Sequence, residues 1–499
     1  MVLLWTIGCG HPAAMASRPE GDDSSWRRST LLAGGAVQDA RVIGHPAGWV
    51  VVASLHYDLA VWGSADGLEW DRVDDPFAGL PAGSFFQPSG VAYGDRGLTV
   101  VGSYLLPPEG SEPDFGPVPM VLHAADGEAW TLIQADDSGG LMYGVVAHPG
   151  GFVAVGDTRA GDPHGCPCRP RAWYSHDGIT WANANPIGDA FAGDGGMASV
   201  SFDGSRFVAV GNVDQHAAVW ASEGGSAWTR TNVGDAFGQF SHVNAVEAAP
   251  DGHLAVGGVW DATAAGGQPA AWASPDGALW KRVPLDAAVF GNGDSRLNSV
   301  TRRGQRWLLT GQAHIRADPR FCYVDLDSCD SFQSAAWVST DGLDWNLLDL
   351  RQPPFPDDLS LMGAATSDTA TVLVGQSDGE GLDVWTWPSE SQPPTREPID
   401  YTIPEDVPPL ARPGERLGIG TVYAYPTSRH CGLFTFGPFN GSTWIVEERL
   451  RDLADYPTNN EVLYGTIRLL SALRAEYSVS GDPIAVLRPG TPDPDRFCD

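Results

Sequence analysis

The sequence predicts an all-β protein: a seven-bladed β-propeller closed by its N-terminal strand, followed by a small β domain. Three observations carry this. A ten-residue box recurs six times, a short apolar strand ending in a small residue recurs seven times, and the first ordered segment resembles the strand that the last unit lacks. The expected divisions are a leader or disordered terminus over 1–23, the propeller over 24–390, a linker over 391–415 and the β domain over 416–499.

The boxes are VWGSADGLEW, VLHAADGEAW, AWYSHDGITW, VWASEGGSAW, AWASPDGALW and AWVSTDGLDW. Each runs from a large residue through a small polar step and an Asp-Gly or Gly-Gly pair to a closing tryptophan. Those closing tryptophans, Trp70, Trp130, Trp181, Trp228, Trp280 and Trp345, lie 60, 51, 47, 52 and 65 residues apart. Such spacing is the period of a propeller blade rather than of a helical solenoid. Asp-Gly is expected to form a tight hairpin, with aspartate and glycine both in the left-handed region.

Ahead of each box stands a middle strand: GWVVVAS, RGLTVVG, GGFVAVG, SRFVAVG, GHLAVGG, QRWLLTG and TATVLVG. Ahead of that again stands a shorter strand turning at a polar end, so each unit holds four strands. The seventh unit stops after LDVWTWP, with no closing tryptophan. At the chain start, Trp26-Arg27-Arg28 matches the outer strand WDRV or WKRV of other units. Pairing the two ends removes edge strands that would otherwise invite aggregation. The box tryptophans are therefore expected in the packing between blades, and Phe77, Phe191, Phe237, Phe290 and Phe355, which recur seven to ten residues after the closing tryptophans, in core packing beneath the loop face. Arg72, Arg230 and Arg282, which follow closing tryptophans, are expected to stack beside indole rings.

Composition excludes some partners. The chain has 499 residues, 62 acidic and 30 basic, with a net charge of -32. Lys281 is its one lysine, and no arginine stripe supplies a phosphate-neutralising footprint, so nucleic acid and anionic lipid surfaces are poor partners. No stretch reaches the length of a membrane-spanning helix.

Cysteines point to export. The segment Thr6-Ile7-Gly8-Cys9 resembles a bacterial lipoprotein box, which implies lipidation at Cys9 and a location at the cell envelope, or outside the cell if the resemblance misleads. The other six form an even set suited to an oxidising compartment. Cys322 with Cys329 flanks a short acidic loop, Cys166 and Cys168 are near neighbours, and Cys431 with Cys498 would tie down the C-terminus. CPC at 166–168 offers poor zinc spacing, so disulfides are the better reading.

Long insertions fall where loops share one propeller face: 105–119, 158–171 and 314–333. They supply the binding candidates His164, Arg169, Arg171, His314 and Arg316. Asp325, Asp327 and Asp330 alternate as oxygen ligands for calcium, although an acidic solvated loop explains them as well and no other cofactor is indicated.

The box, with Ser64, Asp66, Gly67 and Trp70 in its first copy and Ser175, Asp177, Gly178 and Trp181 in its third, resembles the Asp-box of sialidase-like propellers. Here Asp and Gly are adjacent, one residue closer than in the usual motif. The resemblance covers roughly residues 24–390 and implies architecture. A sialidase would also carry an arginine triad, announced by Arg-Ile-Pro, which this chain lacks. The expected function is thus an exported, non-catalytic binding or scaffold protein for a glycan, peptide or protein. A sialidase-like glycoside hydrolase is the alternative.

Residues 388–415 contain eight prolines and no apolar periodicity, the mark of a linker. Strand-length apolar segments follow. His430-Cys431-Gly432, Phe439-Asn440-Gly441, Trp444 and Gly465-Thr466-Ile467 resemble a small domain of uncharacterised actinobacterial proteins, which implies a fold and no chemistry.

Overall fold

The structure, a computed structural model, describes residues 25–55, 58–73, 85–105, 118–125, 130–136, 139–159, 168–238, 241–249, 251–260, 267–290, 295–313, 333–350, 352–356, 358–368, 370–377, 380–388, 393–395, 408–411, 414–428, 435–451 and 462–491. Their regular structure is strand apart from one short helix, Ala287–Phe290. Among these residues no helix is long and apolar enough to cross a membrane.

Eight sheets follow one another along the chain. We number the first seven by their first strands: Val37–His45, Phe85–Gly94, Gly140–His148, Gly195–Phe202, Ser241–Ala249, Arg296–Arg303 and Ser360–Thr366. Each is an antiparallel meander; a short parallel strand, Asn185–Pro186, adds a fifth member to sheet 4. First strands pack in order, sheet 1 against sheet 2 and so on to sheet 7, whose first strand lies back against that of sheet 1. The outer strand of sheet 7 is Arg27–Leu32, which pairs antiparallel with Glu380–Trp387. The chain start therefore supplies the missing strand, as the Trp26-Arg27-Arg28 match predicts.

The box turn differs from the expected two-residue hairpin. Gly67 takes φ of +78°, but Asp66 does not enter the left-handed region. Five residues separate the paired Ser175 and Trp181 in the third copy. The aspartate acts instead as an acceptor: Leu68 N and Glu69 N donate to Asp66 Oδ1 at 2.9 and 3.1 Å. Gly67 N donates to Ser64 Oγ at 2.8 Å, and Trp70 Nε1 donates to Gly67 O at 3.0 Å. Short polar side chains that bond the backbone two or three residues on stabilise turns in this way. The copy at Ser222 has Gly224 where Asp would stand, and keeps the bonds of Gly225 N to Ser222 Oγ and of Trp228 Nε1 to Gly225 O. Donors from Thr180, Ile179 and Ser175 hold the Asp177 carboxyl down at about 2, against a smaller opposing effect of burial.

Between sheets the aromatics pack as expected. Phe237 lies 4.8 Å from Trp272 and 5.7 Å from Trp280, centroid to centroid. Phe290 stacks on Trp337 at 5.2 Å, and Phe355 sits 5.6 Å from Trp385 and 5.2 Å from Trp26. Phe191 packs beside Trp220, while Phe77 lies outside the described residues. The buried indoles also bond the preceding loop, Trp220 Nε1 to Ala190 O at 2.6 Å and Trp337 Nε1 to Val289 O at 3.0 Å. Each loop is thereby fastened to the sheet that follows it.

The small residue closing the middle strands has one physical cause. In sheets 2 to 7 the first strand bulges at an equivalent place, leaving Ser89, Tyr143, Ala198, Asn244, Asn298 or Met362 unpaired. The bulge presses a first-strand carbonyl onto the middle strand. A Cβ at Gly102, Gly156, Gly211, Gly257, Gly311 or Gly375 would lie 1.8–2.3 Å from that oxygen. Sheet 1 bulges two residues earlier, between Val37 and Asp39, and there Ala53 replaces the glycine.

The eighth sheet has six antiparallel strands from Val422–Ser428 to Asp482–Pro489. Tyr425, Phe436, Phe439 and Tyr477 form an aromatic cluster on its core face, and the Tyr477 hydroxyl donates to Tyr425 O or Leu463 O at 3.0 Å. Asn440, between Phe439 and Gly441 at the turn after Thr435–Phe439, has φ of +52°.

Candidate functional site: a polar collar at the bulged ends

Beside the bulges the register places a single layer of polar side chains. Its pairs are Asp39 with Ser54, Gln87 with Ser103, Leu141 with Asp157, Gly196 with Asn212, His242 with Gly258, Arg296 with Gln312 and Ser360 with Gln376. Most of it is inter-sheet fastening. Asn212 Nδ2 donates to Ser241 O at 3.1 Å and its Oδ1 accepts from Val243 N at 3.2 Å. Asn244 Nδ2 donates to Leu297 O at 2.8 Å, and Leu361 N donates to Ser334 Oγ at 2.9 Å. Buried backbone groups that a bulge releases from the ladder need such partners.

Arg41 dominates the collar. Equivalent first-strand positions are Gly90, Gly144, Ser199, Ala245, Ser299 and Gly363, all small because neighbouring strands approach closely. A Cβ on Gly90 would meet Gly144 Cα at 3.1 Å, and one on Gly363 would meet Ala40 O at 3.0 Å. Arg41 instead reaches both neighbours, donating from Nε to Ser89 O at 2.8 Å and from Nη1 to Met362 O at 3.2 Å. Nη1 also bonds Ala40 O at 2.9 Å and Asp39 Oδ1, while Nη2 bonds Asp39 Oδ2 at 3.1 Å. A planar guanidinium can satisfy this many acceptors at once; an ammonium cannot. Burial raises the Asp39 carboxyl pKa, against the lowering pull of Arg41.

Elsewhere in the collar, Tyr143 donates its hydroxyl to Asp157 Oδ2 at 2.8 Å. The His242 pKa is lowered by burial, and further by Arg296. The collar thus holds two carboxylates, one titratable imidazole and two arginines, of which Arg41 is committed to backbone and Asp39. On the seven first strands the remaining arginines, Arg302 and Arg303, stand at the opposite end, next to the turn to Arg306. These strands therefore bring no three arginines together for a sialidase-type carboxylate clamp. A second constellation, Ser201 Oγ 3.3 Å from His253 Nδ1 and Asp203 Oδ2 3.3 Å from Nε2, has the residue types of a catalytic triad. Ser201 and His253 are each 3% exposed, and the ring nitrogens are reversed relative to a serine nucleophile with its base, so this is a buried latch between sheets 4 and 5.

Of the site residues singled out from sequence, three are described, Cys168, Arg169 and Arg171. Arg169 is exposed on the strand Cys168–Ser175, paired with Thr158. Arg171 is held in its sheet: Nη2 lies 3.1 Å from Asp136 Oδ2, Nε donates to Asn183 Oδ1 at 3.0 Å, and the guanidinium sits 5.3 Å from the Trp173 ring. Cys168 is disulfide-bonded. His164, His314, Arg316, Asp325, Asp327, Asp330, Cys9, Cys166, Cys322, Cys329, Cys431 and Cys498 lie outside the described residues. Among the described residues no three metal-ligating side chains gather. Arg72 and Arg230 stack over Trp62 and Trp220 at 5.8 and 5.6 Å, as expected. Sequence reading missed the collar, although Arg41 is the one large residue in an otherwise Gly/Ser/Ala column of the seven aligned first strands.

The fold and collar define an all-β chain of small antiparallel sheets joined first strand to first strand. No protein-family model and no curated protein sequence matches it. Its strand arrangement is similar to that of a Trypanosoma rangeli sialidase mutant displaying trans-sialidase activity, with 11% identity and a TM-score of 0.39 over 72% of this chain; the chain spans 59% of that sialidase's length. It is also similar to the phage phi92 endosialidase, at 8% identity and a TM-score of 0.39 over 96% of this chain and 89% of the other. A protein of unknown function from Dyadobacter fermentans matches at 13% identity and a TM-score of 0.39, over 72% and 98%.

Proposed function

We propose that the seven small sheets are the blades of a closed propeller, and that the protein is an exported, non-catalytic binding or scaffold protein whose loop-bearing face takes a glycan, peptide or protein ligand. The blade count rests on the cyclic order of first-strand contacts and on Arg27–Leu32 completing sheet 7. The observation that carries the non-catalytic reading is the state of Arg41. The cation placed centrally enough to bridge sheets 7 and 2 is spent on two backbone carbonyls and Asp39, so it is not offered to a substrate. Loops 105–119, 158–171 and 314–333 leave the sheets at the same ends as the collar. Rigid strands beneath long loops suit recognition. Disulfides at Cys166–Cys168, Cys322–Cys329 and Cys431–Cys498, calcium at Asp325, Asp327 and Asp330, and a lipid anchor at Cys9 belong to the same reading.

A fluorogenic panel of sialosides, arabinosides and other glycosides tests it. The expected result is no turnover, together with ligand capture on a glycan or peptide array that Arg169→Ala with His164→Ala weakens. Turnover abolished by Asp39→Asn or Asp157→Asn would establish the glycosidase alternative instead. Calorimetric titration with calcium, compared with an Asp325→Asn/Asp327→Asn variant, checks the cation site separately.

A further inference from the structure

The eighth sheet carries a surface that its own core does not explain. Leu470 and Leu473 flank the turn that joins Val462–Ser471 to Arg474–Val479. Ile419 bridges to Leu469 beside that turn, and Val422 pairs with Arg468. Their exposures are 44%, 73%, 64% and 37%, against 0% for Ile467 and Leu469, the core-facing neighbours in the same strand. Four exposed aliphatic side chains thus lie along the backbone around one corner of the sheet. An exposed apolar group of this kind, rimmed by polar residues, marks an interaction site.

The charge around it is equally distinctive. Segments 415–428 and 462–476 contain Arg416, Arg468 and Arg474 against Glu415 and Glu476, a net positive charge in a chain with 62 acidic residues to 30 basic. Arg468 pairs with Glu476 at 2.8 Å, while Arg416 and Arg474 are exposed, Arg474 directly after Leu473. The corner is therefore a cationic, aliphatic exception on an acidic molecule.

We propose that this corner is the site at which the protein docks on an anionic lipid bilayer, with Leu470 and Leu473 entering the headgroup region and Arg416 and Arg474 meeting lipid phosphates. Size and charge decide between a bilayer and a folded partner. The corner offers four exposed apolar side chains, whereas a stable protein interface takes about 20 to 30 residues a side. A bilayer needs no complementary pocket. Each arginine near an anionic surface is worth roughly a fivefold gain in partitioning, and each inserted aliphatic group adds to that. The net charge of -32 repels the rest of the molecule from such a surface, so the corner also sets which way the protein faces.

The test uses the full chain as Cys9→Ser, so that no acyl anchor contributes, with vesicles of phosphatidylcholine alone and of phosphatidylcholine mixed with phosphatidylglycerol. Expected is cosedimentation with the mixed vesicles at low salt, reduced at high salt, and lowered more than tenfold by Leu473→Asp and severalfold by Arg474→Glu, with melting temperatures unchanged. Absence of binding, equal binding to neutral vesicles, or binding that survives both substitutions would overturn the proposal. A vesicle-independent dimer that Leu473→Asp dissolves would assign the corner to a second copy of the chain instead.

Discussion

Arg28 and Asp383 form an ion pair of 2.6 Å between residues 355 positions apart, and the same guanidinium lies 5.7 Å from the Trp385 ring. Arg72 stands over Trp62 in the same way, from the register-equivalent place in sheet 1. The N-terminal strand thus reproduces, between the two ends of the sheet region, a contact that the other sheets make locally. Thr30 adds a hydroxyl bond to Asp383 at 2.6 Å.

Closure here predicts a long-range stability effect. Asp383→Ala removes the acceptor of both Arg28 and Thr30 from a site only 3% exposed. It should cost about 1–3 kcal/mol by chemical denaturation. Deleting residues 1–32 also removes Trp26 from Phe355 and Trp387 and should lower the melting temperature further. An unchanged transition in the deletion would show that sheet 7 does not need this strand.

The bulges predict an asymmetry among small residues. Gly156→Ala would set a Cβ 1.8 Å from Leu141 O, and Gly311→Ala one 1.9 Å from Arg296 O. Backbone must move in both, at about 2–4 kcal/mol each. Ala53→Gly, at the matching place in sheet 1, should cost no more than about 1 kcal/mol. Equal losses in all three would refute the bulge explanation.

Arg41 should resist conservative replacement. Arg41→Lys keeps the charge but cannot bond Ser89 O, Met362 O and Asp39 together, so it should destabilise nearly as much as Arg41→Ala, by about 2–3 kcal/mol. Full stability in the lysine variant would mean that charge alone is what the collar requires.

Acid should weaken the fold through its buried histidines. Burial lowers the pKa of His253, as it does for His45, His123, His148 and His242, with Asp203 opposing at His253. A histidine depressed in the folded state is protonated first when unfolded. Its contribution is therefore complete above the unfolded value near 6.5 and is lost as pH falls from there to the folded value. His253→Phe, matching Phe152 and Phe207 at the equivalent place, should reduce the loss of stability between pH 7 and pH 5. A pH profile identical to the parent's would count against His253 as a contributor.

Much of the fold was legible because its information is local. The distance from Trp62 to Trp70 fixes a strand, a turn and a strand whatever surrounds them. Trp26-Arg27-Arg28 could be matched to Trp70-Asp71-Arg72 by residue type alone. The role of the box aspartate was less visible. Asp-Gly suits a two-residue hairpin and a longer hydrogen-bonded turn alike, and only the backbone angles separate the two.

The sequence by itself determined the strands, their repeat, where the box turns fall and the partner of the chain's first strand, since each depends on side-chain pattern over a few residues. Tertiary structure decided where the first strands bulge and hence why glycine closes six middle strands. It also decided that Arg41 binds its neighbours rather than facing an open site. Those outcomes depend on how closely strands 50 residues apart approach, within the 47–65 residue repeat. Pattern within one strand carries no record of that distance.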